Sequence, residues 1–449
     1  MFFETVRSEG LAHQSYIVGA GGRAAVIDPR RDCGIYLRRA VAHGAVITHI
    51  FETHRNEDYV TGSAELARRT GATVYHGAAT PFAFGSPARH GDRFQVGPLE
   101  IVALETPGHT DESLSFALYE PSVPGRPVMV FSGDALFAGS VGRVDLAGDD
   151  PVANAHRLHD SLHRVLLPLG DGTIVCPAHG SGSVCGPSIS DLPFTTIGIE
   201  RRSNPYLRLG REEFVERKAG ERGYRAPYFR EMERVNLVGS PAPPDPCTLR
   251  RLSPGDLDGM QVVDIRSPTA FAAGHVPGSI NIWREGLPLF IGWTLDYDRP
   301  IALVDDFNQE LHLAAAHFVR LGFDNLTGFL DGGFMAWLRE ARPVGRIETW
   351  TVQDLFSRLD GVTVLDVRDI ANRKERGAIP GSMHVYAGEV AARIDEVPHD
   401  RPVAVHCDVG FKGSLAASLL AGRRENIRVA NVLGGFAAWT AAGLPVERV

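Results

Sequence analysis

ETHRNEDYVTG, residues 52–62, follows the apolar run AVITHIF at 45–51, and this junction decides how the first half of the chain is read. A β-branched, apolar run bounded by turn residues predicts a strand, so His54 falls in the loop at a strand's end. The same construction recurs three times. Strands predicted at 99–105, 128–132 and 173–177 run into TPGHTDES (106–113), FSGDALFAGSVGRVDL (131–146) and CPAHGSGS (176–183). Loops that follow strands are where chemistry is usually carried. A further strand is expected at AAVID (24–28), and SAELARRT (63–70) predicts a helix with Ser63 as its N-cap.

The chain has 449 residues, a length that suggests about three domains. It is 44% hydrophobic and 22% charged with a net charge of −8, which implies no general affinity for nucleic acid. No apolar run approaches the ~18 residues of a membrane span, and the N-terminus shows no signal-peptide pattern. Cys33, Cys176, Cys185, Cys247 and Cys407 form no C-x-x-C pair. That excludes a disulfide scaffold or thiolate zinc finger and suits a reducing cytoplasm.

Residues 200–236 are dense in mixed charge, which predicts solvated amphipathic helices. SPAPPDPC (240–247) reads as an extended linker. Beyond it the sequence repeats: VVDIRS (262–267) matches VLDVRD (364–369), GHVPGS (274–279) matches GAIPGS (377–382), and DGGFMAW (331–337) matches LGGFAAW (433–439). An offset of about 102 residues is right for two tandem domains. Strands at 301–304 and 403–406, with helices at 311–321 and 414–421, predict two parallel α/β sheets.

The four loops of the first half, in this order, resemble the metallo-β-lactamase superfamily, and within it the persulfide dioxygenase branch, over roughly residues 1–205. The resemblance implies an αββα sandwich with metal ligands on loops along one edge. The superfamily's first motif reads His-x-His-x-Asp-His, where this chain has His54-Arg55-Asn56-Glu57-Asp58-Tyr59. The second and third histidines are missing, which argues against a two-metal hydrolase centre. What remains is His54, His109 and Asp134, and the resemblance implies that these hold one Fe(II) per chain, with zinc as the alternative metal. Two imidazoles and one carboxylate leave open positions for oxygen and substrate side by side. His179 matches the superfamily's last histidine; it is either a ligand or a support for the ligands, and Asp58 has the same two readings. Arg143 either binds a substrate carboxylate bidentately or pairs with Asp145.

The two C-terminal copies resemble rhodanese domains through D-x-R, G-x-x-P-G-S and G-G-F-x-A-W. A rhodanese carries its nucleophile in a Cys-x-x-Gly-x-Arg loop between a central strand and a helix. The second copy has HCDVGFKGS, so Cys407 and Gly410 match and Lys412 stands for the arginine. Converging backbone N–H groups there favour a thiolate or persulfide. Lys412 supplies a point charge rather than a planar fork. The alternative for Cys407 is a small buried apolar residue. The first copy has Asp305 at the cysteine position and Glu310 at the cation position. A carboxylate cannot accept sulfane sulfur in this way, so that copy is expected to be inactive.

The expected architecture is therefore a mixed α/β chain: an αββα domain at 1–240, an inactive rhodanese-like domain at 248–345 and an active one at 347–449. The resemblances together imply oxidation of a low-molecular-weight thiol persulfide to sulfite, coupled to sulfane-sulfur transfer through Cys407. Sulfite or thiosulfate are the further small partners, neither nucleic acid nor membrane is expected as a partner, and a homo-oligomer is compatible with the sequence. The competing readings are a thioester hydrolase of glyoxalase II type and a non-catalytic sulfur carrier.

Overall fold

In the strand His13–Ala20, Tyr16 and Val18 join one apolar cluster and Ile17 another; in Arg23–Ile27, Ala25 and Ile27 separate from Ala24 and Val26 in the same way. Side chains alternate faces along a strand, so both faces of this sheet are buried and something apolar must cover each. The computed structural model, which describes all residues except 147, 149, 184–188, 193, 399, 425 and 426, shows what does. The first sheet has six strands in the order Phe2–Ser8, His13–Ala20, Arg23–Ile27, Val46–Phe51, Thr73–Gly77, Ser86–Ala88. Helices Gly34–Ala42 and Ser63–Thr70 cover one face through Tyr36, Ala40 and Leu66. The other face meets a second six-stranded sheet, ordered Thr195–Thr196, Ile174–Pro177, Met129–Gly133, Leu114–Tyr119, Leu99–Glu105, Arg93–Val96. Phe51, Phe116 and Phe131 fill the space between the sheets. The outer face of the second sheet, through Val130 and Val175, packs on Leu158, Leu162, Ile197 and Phe214. This is the expected αββα sandwich.

The chain divides into two units, Met1–Pro243 with Val319–Gly322, and Pro244–Phe318 with Phe323–Val449. The second unit holds both repeats. Each builds a five-stranded sheet with parallel neighbours in the same order: Arg250–Leu252, Leu326–Leu330, Ile301–Val304, Gln261–Asp264, Ile280–Asn281 in the first, and Glu348–Trp350, Val429–Val432, Val403–His406, Thr363–Asp366, Met383–His384 in the second. The predicted strands at 301–304 and 403–406 are reproduced. The charged stretch forms helices Arg211–Gly220 and Phe229–Val238, which nonetheless bury Phe214, Phe229 and Met232. Ser63 is not an N-cap: Gly62 holds that position, and Ser63 begins the helix with its hydroxyl 2.9 Å from that of Thr61. The chain turns so tightly there that a Cβ on residue 62 would lie 2.2 Å from the Arg30 carbonyl oxygen. Among the described residues no helix is long and apolar enough to cross a membrane.

The repeat motifs have a shared physical basis. Arg266 folds back on Asp264, with Nη2 2.6 Å from Oδ2, donates to the Gly274 carbonyl and lies 4.2 Å above the ring of Phe334. Arg368 repeats this with Asp366, Gly377 and Phe436. D-x-R and G-G-F are thus two halves of one buried ion pair capped by an aromatic ring. In the second copy Arg373 adds a further contact to Asp366 at 3.0 Å. Asp264 lacks such an addition, and burial raises its carboxyl above the usual range despite Arg266. Removing one partner of a buried pair strands the other charge, at about 3–5 kcal/mol. Arg266→Ala is therefore expected to destabilise the second unit by about that much, read from denaturant unfolding followed by tryptophan fluorescence. An unchanged midpoint would contradict the role given to this pair.

Candidate metal centre and sulfur-transfer loop

The loops that end four strands of the sandwich converge. The loop after Val46–Phe51 supplies His54, Glu57 and Asp58; that after Leu99–Glu105 supplies His109; Asp134 and His179 follow Met129–Gly133 and Ile174–Pro177. Two glycines make the approach feasible. Gly108 has φ +136°, and a Cβ there would sit 2.4 Å from the backbone nitrogen of Leu158. Gly133 has φ +54°, and a Cβ there would strike Thr53 at 2.7 Å.

Ligand atoms of His54, His109 and Asp134 lie within 4.8 Å of one another, and all three residues are buried. Asp134 Oδ2 is 3.7 Å from His54 Nε2 and 3.5 Å from His109 Nε2. The far side of each ring fixes its tautomer. His109 Nδ1 lies 3.0 Å from the Arg143 carbonyl, which can only accept, so Nδ1 carries the proton. His54 Nδ1 lies 2.9 Å from the Thr53 hydroxyl, which donates its own proton to Asp28 Oδ2 at 2.8 Å, so this Nδ1 is also the donor. In the neutral rings both Nε2 atoms then carry lone pairs toward Asp134, and neither has a hydrogen-bond partner. Buried polar atoms are normally satisfied. Two orphaned imidazole nitrogens facing a carboxylate are the donor set of a transition metal, with the supporting hydrogen bonds such ligands require. The residues therefore fit a mononuclear metal.

The charges agree. Burial alone would raise Asp134, but His179, His54 and His109 hold its carboxyl far below the ordinary range. Burial works against a proton on His109, yet Glu57, with Oε1 3.2 Å from Nε2, lifts it to about 9 in the metal-free protein. Asp28, which anchors the Thr53–His54 link, is pushed up to about 6 by burial.

His179 stands between two carboxylates, with Nδ1 2.8 Å from Asp134 Oδ1 and Nε2 2.9 Å from Asp58 Oδ2. Both nitrogens thus face carboxylates, so in this arrangement His179 orients Asp134, and Asp58 orients His179. Tyr59 is fully buried and its ring packs 4.0 Å from His13; Asn56 turns its amide back to the His54 carbonyl at 3.2 Å. Arg143 holds Asp145 through Nε at 2.8 Å and Nη2 at 2.9 Å, and Nη1 donates to the Tyr224 carbonyl at 3.2 Å. This ion pair is one of its two sequence readings. Glu57 was not singled out by the sequence; the motif frame gives that position no role. Asp28 and Thr53 also escaped it, although Asp28 has the uncommon φ of +49°.

In the second unit, Cys407 directly follows the strand Val403–His406, and the Gly410 N–H lies 3.1 Å from its Sγ. The helix Phe411–Arg423 follows directly, with Lys412 half-buried in its first turn and in no ion pair among the described residues. The Phe436 N–H donates to the Cys407 carbonyl at 2.7 Å, and a Cβ on Gly435 would collide with that oxygen at 2.2 Å. The G-G-F turn is thus the base on which the cysteine loop rests. The first copy has the same base, with Phe334 N–H on the Asp305 carbonyl at 2.8 Å. There Asp305 Oδ1 takes the Asn308 N–H at 3.0 Å, as Sγ takes Gly410, while Oδ2 meets Arg284 at 3.1 Å. A side-chain carboxylate fills the anion cradle of the first copy. Of the other cysteines, Cys33 and Cys176 are buried, burial pushing Cys176 up to about 12; Cys247 is exposed, and Cys185 lies outside the described residues.

Residues 9–179 match the family model of the metallo-beta-lactamase superfamily, and residues 249–340 and 351–442 each match the rhodanese-like domain. A metallo-beta-lactamase from Staphylococcus aureus subsp. aureus COL, known as a crystal structure, is 29% identical with a TM-score of 0.66, covering 74% of this chain and 98% of its own. A hydroxyacylglutathione hydrolase from Pseudomonas syringae pv. syringae is 32% identical over 206 residues, covering 39% of this chain and 73% of that protein. ETHE1 from Myxococcus xanthus is 31% identical with a TM-score of 0.47, covering 53% of this chain and 99% of that one. The chain belongs to the metallo-β-lactamase superfamily and carries two rhodanese-like domains in tandem after that domain.

His54→Ala, His109→Ala and Asp134→Ala are each expected to weaken metal binding by more than ~100-fold, since even supporting residues of such sites contribute ~10–100-fold. Metal content per chain after gel filtration checks this. A metal-replete His54→Ala protein would contradict the ligand set.

Proposed function

We propose that the first unit oxidises the terminal sulfur of a low-molecular-weight thiol persulfide to sulfite, using one Fe(II) held by His54, His109 and Asp134. The second unit moves sulfane sulfur through Cys407. The observation that carries this reading is selective loss: the motif lacks histidines at 56 and 59, yet His54, His109 and Asp134 stand together. The oxidation balances as RSSH + O2 + H2O giving RSH, sulfite and two protons. Four electrons leave the sulfur and four reduce O2.

When bound, Fe(II) supplies the one-electron chemistry toward oxygen that redox-inert zinc lacks. The chain's residues do the rest. His54 and His109 keep their protons on Nδ1, so their Nε2 lone pairs stay available. His179 restrains one oxygen of Asp134 and leaves Oδ2 toward the histidines. All of these groups are buried, so their charges act on one another with little screening by solvent.

At Cys407 the thiolate attacks the outer sulfur of a donor such as thiosulfate. A Cys–S–S bond forms, the S–S bond of the donor breaks, and sulfite leaves with the electron pair. The Gly410 N–H lies against the reacting sulfur, and Lys412 offers a cation to the sulfonate. Run in reverse, the same bonds place sulfane sulfur on sulfite; run toward a thiol, they make the persulfide that the first unit consumes. A shared intermediate gives the fusion its rationale.

Oxygen uptake with glutathione persulfide tests the reading. His54→Ala is expected to abolish it. Cys407→Ser is expected to leave uptake on supplied persulfide near the parent rate while abolishing thiocyanate formation from thiosulfate and cyanide. Parent protein loaded with iron that hydrolyses a glutathione thioester and consumes no oxygen would instead support the hydrolase reading.

A further inference from the structure

The helix Phe411–Arg423, which follows the Cys407 loop, carries two hydroxyls, Ser414 and Ser418, that are 1% and 2% exposed. Buried hydroxyls need partners, and these two reach across to the first copy. Ser414 Oγ donates to Asn281 Oδ1 at 2.6 Å, and Ser418 Oγ accepts the Asn281 N–H at 3.0 Å. Asn281 Nδ2 donates to the carbonyls of Asp264 and Arg266, both at 3.0 Å, so the helix is tied to the D-x-R turn of the first copy. At the start of the helix the ring of Phe411 meets that of Trp283, again from the first copy, with centroids 5.3 Å apart at 62°. Residues three and four apart share a helix face, so 411, 414 and 418 make one continuous face on the first copy. The opposite side is held by the second copy itself. Asn431 Nδ2 donates to the Gly410 carbonyl at 3.0 Å, and a Cβ on Gly413 would strike Asn431 Oδ1 at 2.4 Å.

We propose that the first copy is the positioning half of the sulfur-transfer site, with Asn281 and Trp283 as the positioning residues that set the start of the helix behind Cys407. The proposal rests on the reading of Cys407 as the sulfur-transfer nucleophile. The start of this helix supplies what favours a thiolate: the Gly410 N–H on Sγ, the positive end of the helix and the Lys412 cation. The first N–H groups of a helix have no partner within it, so an outside restraint counts most there. Fixing Phe411 through Trp283 fixes Lys412 beside it, and tying Ser414 to Asn281 fixes the next turn. Neither Asn281 nor Trp283 needs to touch the sulfur. This role makes no use of Asp305 and requires no nucleophile in the first copy.

The test uses the full chain and follows kcat/KM for thiosulfate against pH, with cyanide as acceptor, beside the denaturant midpoint. Trp283→Leu is expected to lower kcat/KM at pH 7 by roughly 3–10-fold, the scale of a helix-end effect on a charge. It should also move the acidic limb of the profile to higher pH, because a less stabilised thiolate forms at higher pH. Trp283→Phe keeps an aromatic ring against Phe411 and should restore most of the loss. Ser414→Ala should shift the profile in the same direction by less. A merely structural contact would lower the unfolding midpoint and leave the acidic limb in place. The proposal is overturned if Trp283→Leu and Ser414→Ala both keep the parent's limb and kcat/KM. If Trp283→Leu does not fold, Ser414→Ala, which removes one oxygen, decides alone. Cys407→Ser measured alongside separates the two failures. If it still transfers sulfur, the reading of Cys407 is wrong; if it alone loses transfer, only the role of the first copy falls.

Discussion

Two imidazole nitrogens are held with their lone pairs toward one buried carboxylate, and the rest of the sandwich domain can be understood as what keeps them there. Each lone pair exists because the opposite nitrogen has spent its proton on a fixed acceptor, the Arg143 carbonyl for His109 and the Thr53 hydroxyl for His54. Those acceptors are themselves fixed: Thr53 by Asp28, and the backbone at residue 143 by the Arg143–Asp145 ion pair. The two sheets matter because their parallel and antiparallel strands end at one edge, bringing residues 54, 109, 134 and 179 into one buried cluster. In the metal-free protein a proton on His109, held by Glu57, stands where the metal would bind, and a metal must displace it.

The second unit shows the same economy of parts in a different framework. In both repeats a buried Asp–Arg pair under a phenylalanine fixes the sheet end, and the G-G-F turn carries the loop that holds Cys407 in one copy and Asp305 in the other. One copy offers sulfur to the loop amide and the other offers a carboxylate. The comparison separates what the fold supplies, a loop N–H facing the side chain, from what the residue supplies, a thiol in one copy and a carboxylate in the other. A framework that is the same around a thiol and around a carboxylate shows that loop and framework are separately specified, in keeping with function residing in sites grafted on folds.

Much of this was legible in the sequence because strand periodicity is local. The runs at 99–105, 301–304 and 403–406 fall where strands are found, and the internal repeat separates the halves without any structural knowledge. His54, His109 and Asp134 were legible only through the resemblance of their loops to known motifs, since no spacing rule connects residues so far apart. Glu57 was hidden because the motif frame treats its position as a spacer, and only the folded loop shows where its carboxylate points. Asp28 and Thr53 were hidden because they are 25 residues apart and meet through an unusual backbone angle at Asp28. Arg143 had two readings in sequence, and the structure shows it paired with Asp145. The N-cap at Ser63 failed because the cap position is set by the tight packing of Gly62 on Arg30, a tertiary contact that outweighs local capping preference.

The central claim is that one redox-active metal at His54, His109 and Asp134 carries the chemistry of the first unit. The most direct measurement loads the stripped full chain with either Fe(II) or Zn(II) and follows dissolved oxygen and sulfite together after addition of glutathione persulfide. The account predicts one sulfite formed per oxygen consumed with iron and neither change with zinc. Equal turnover of a glutathione thioester by both forms, with no oxygen consumed by the iron form, would contradict it.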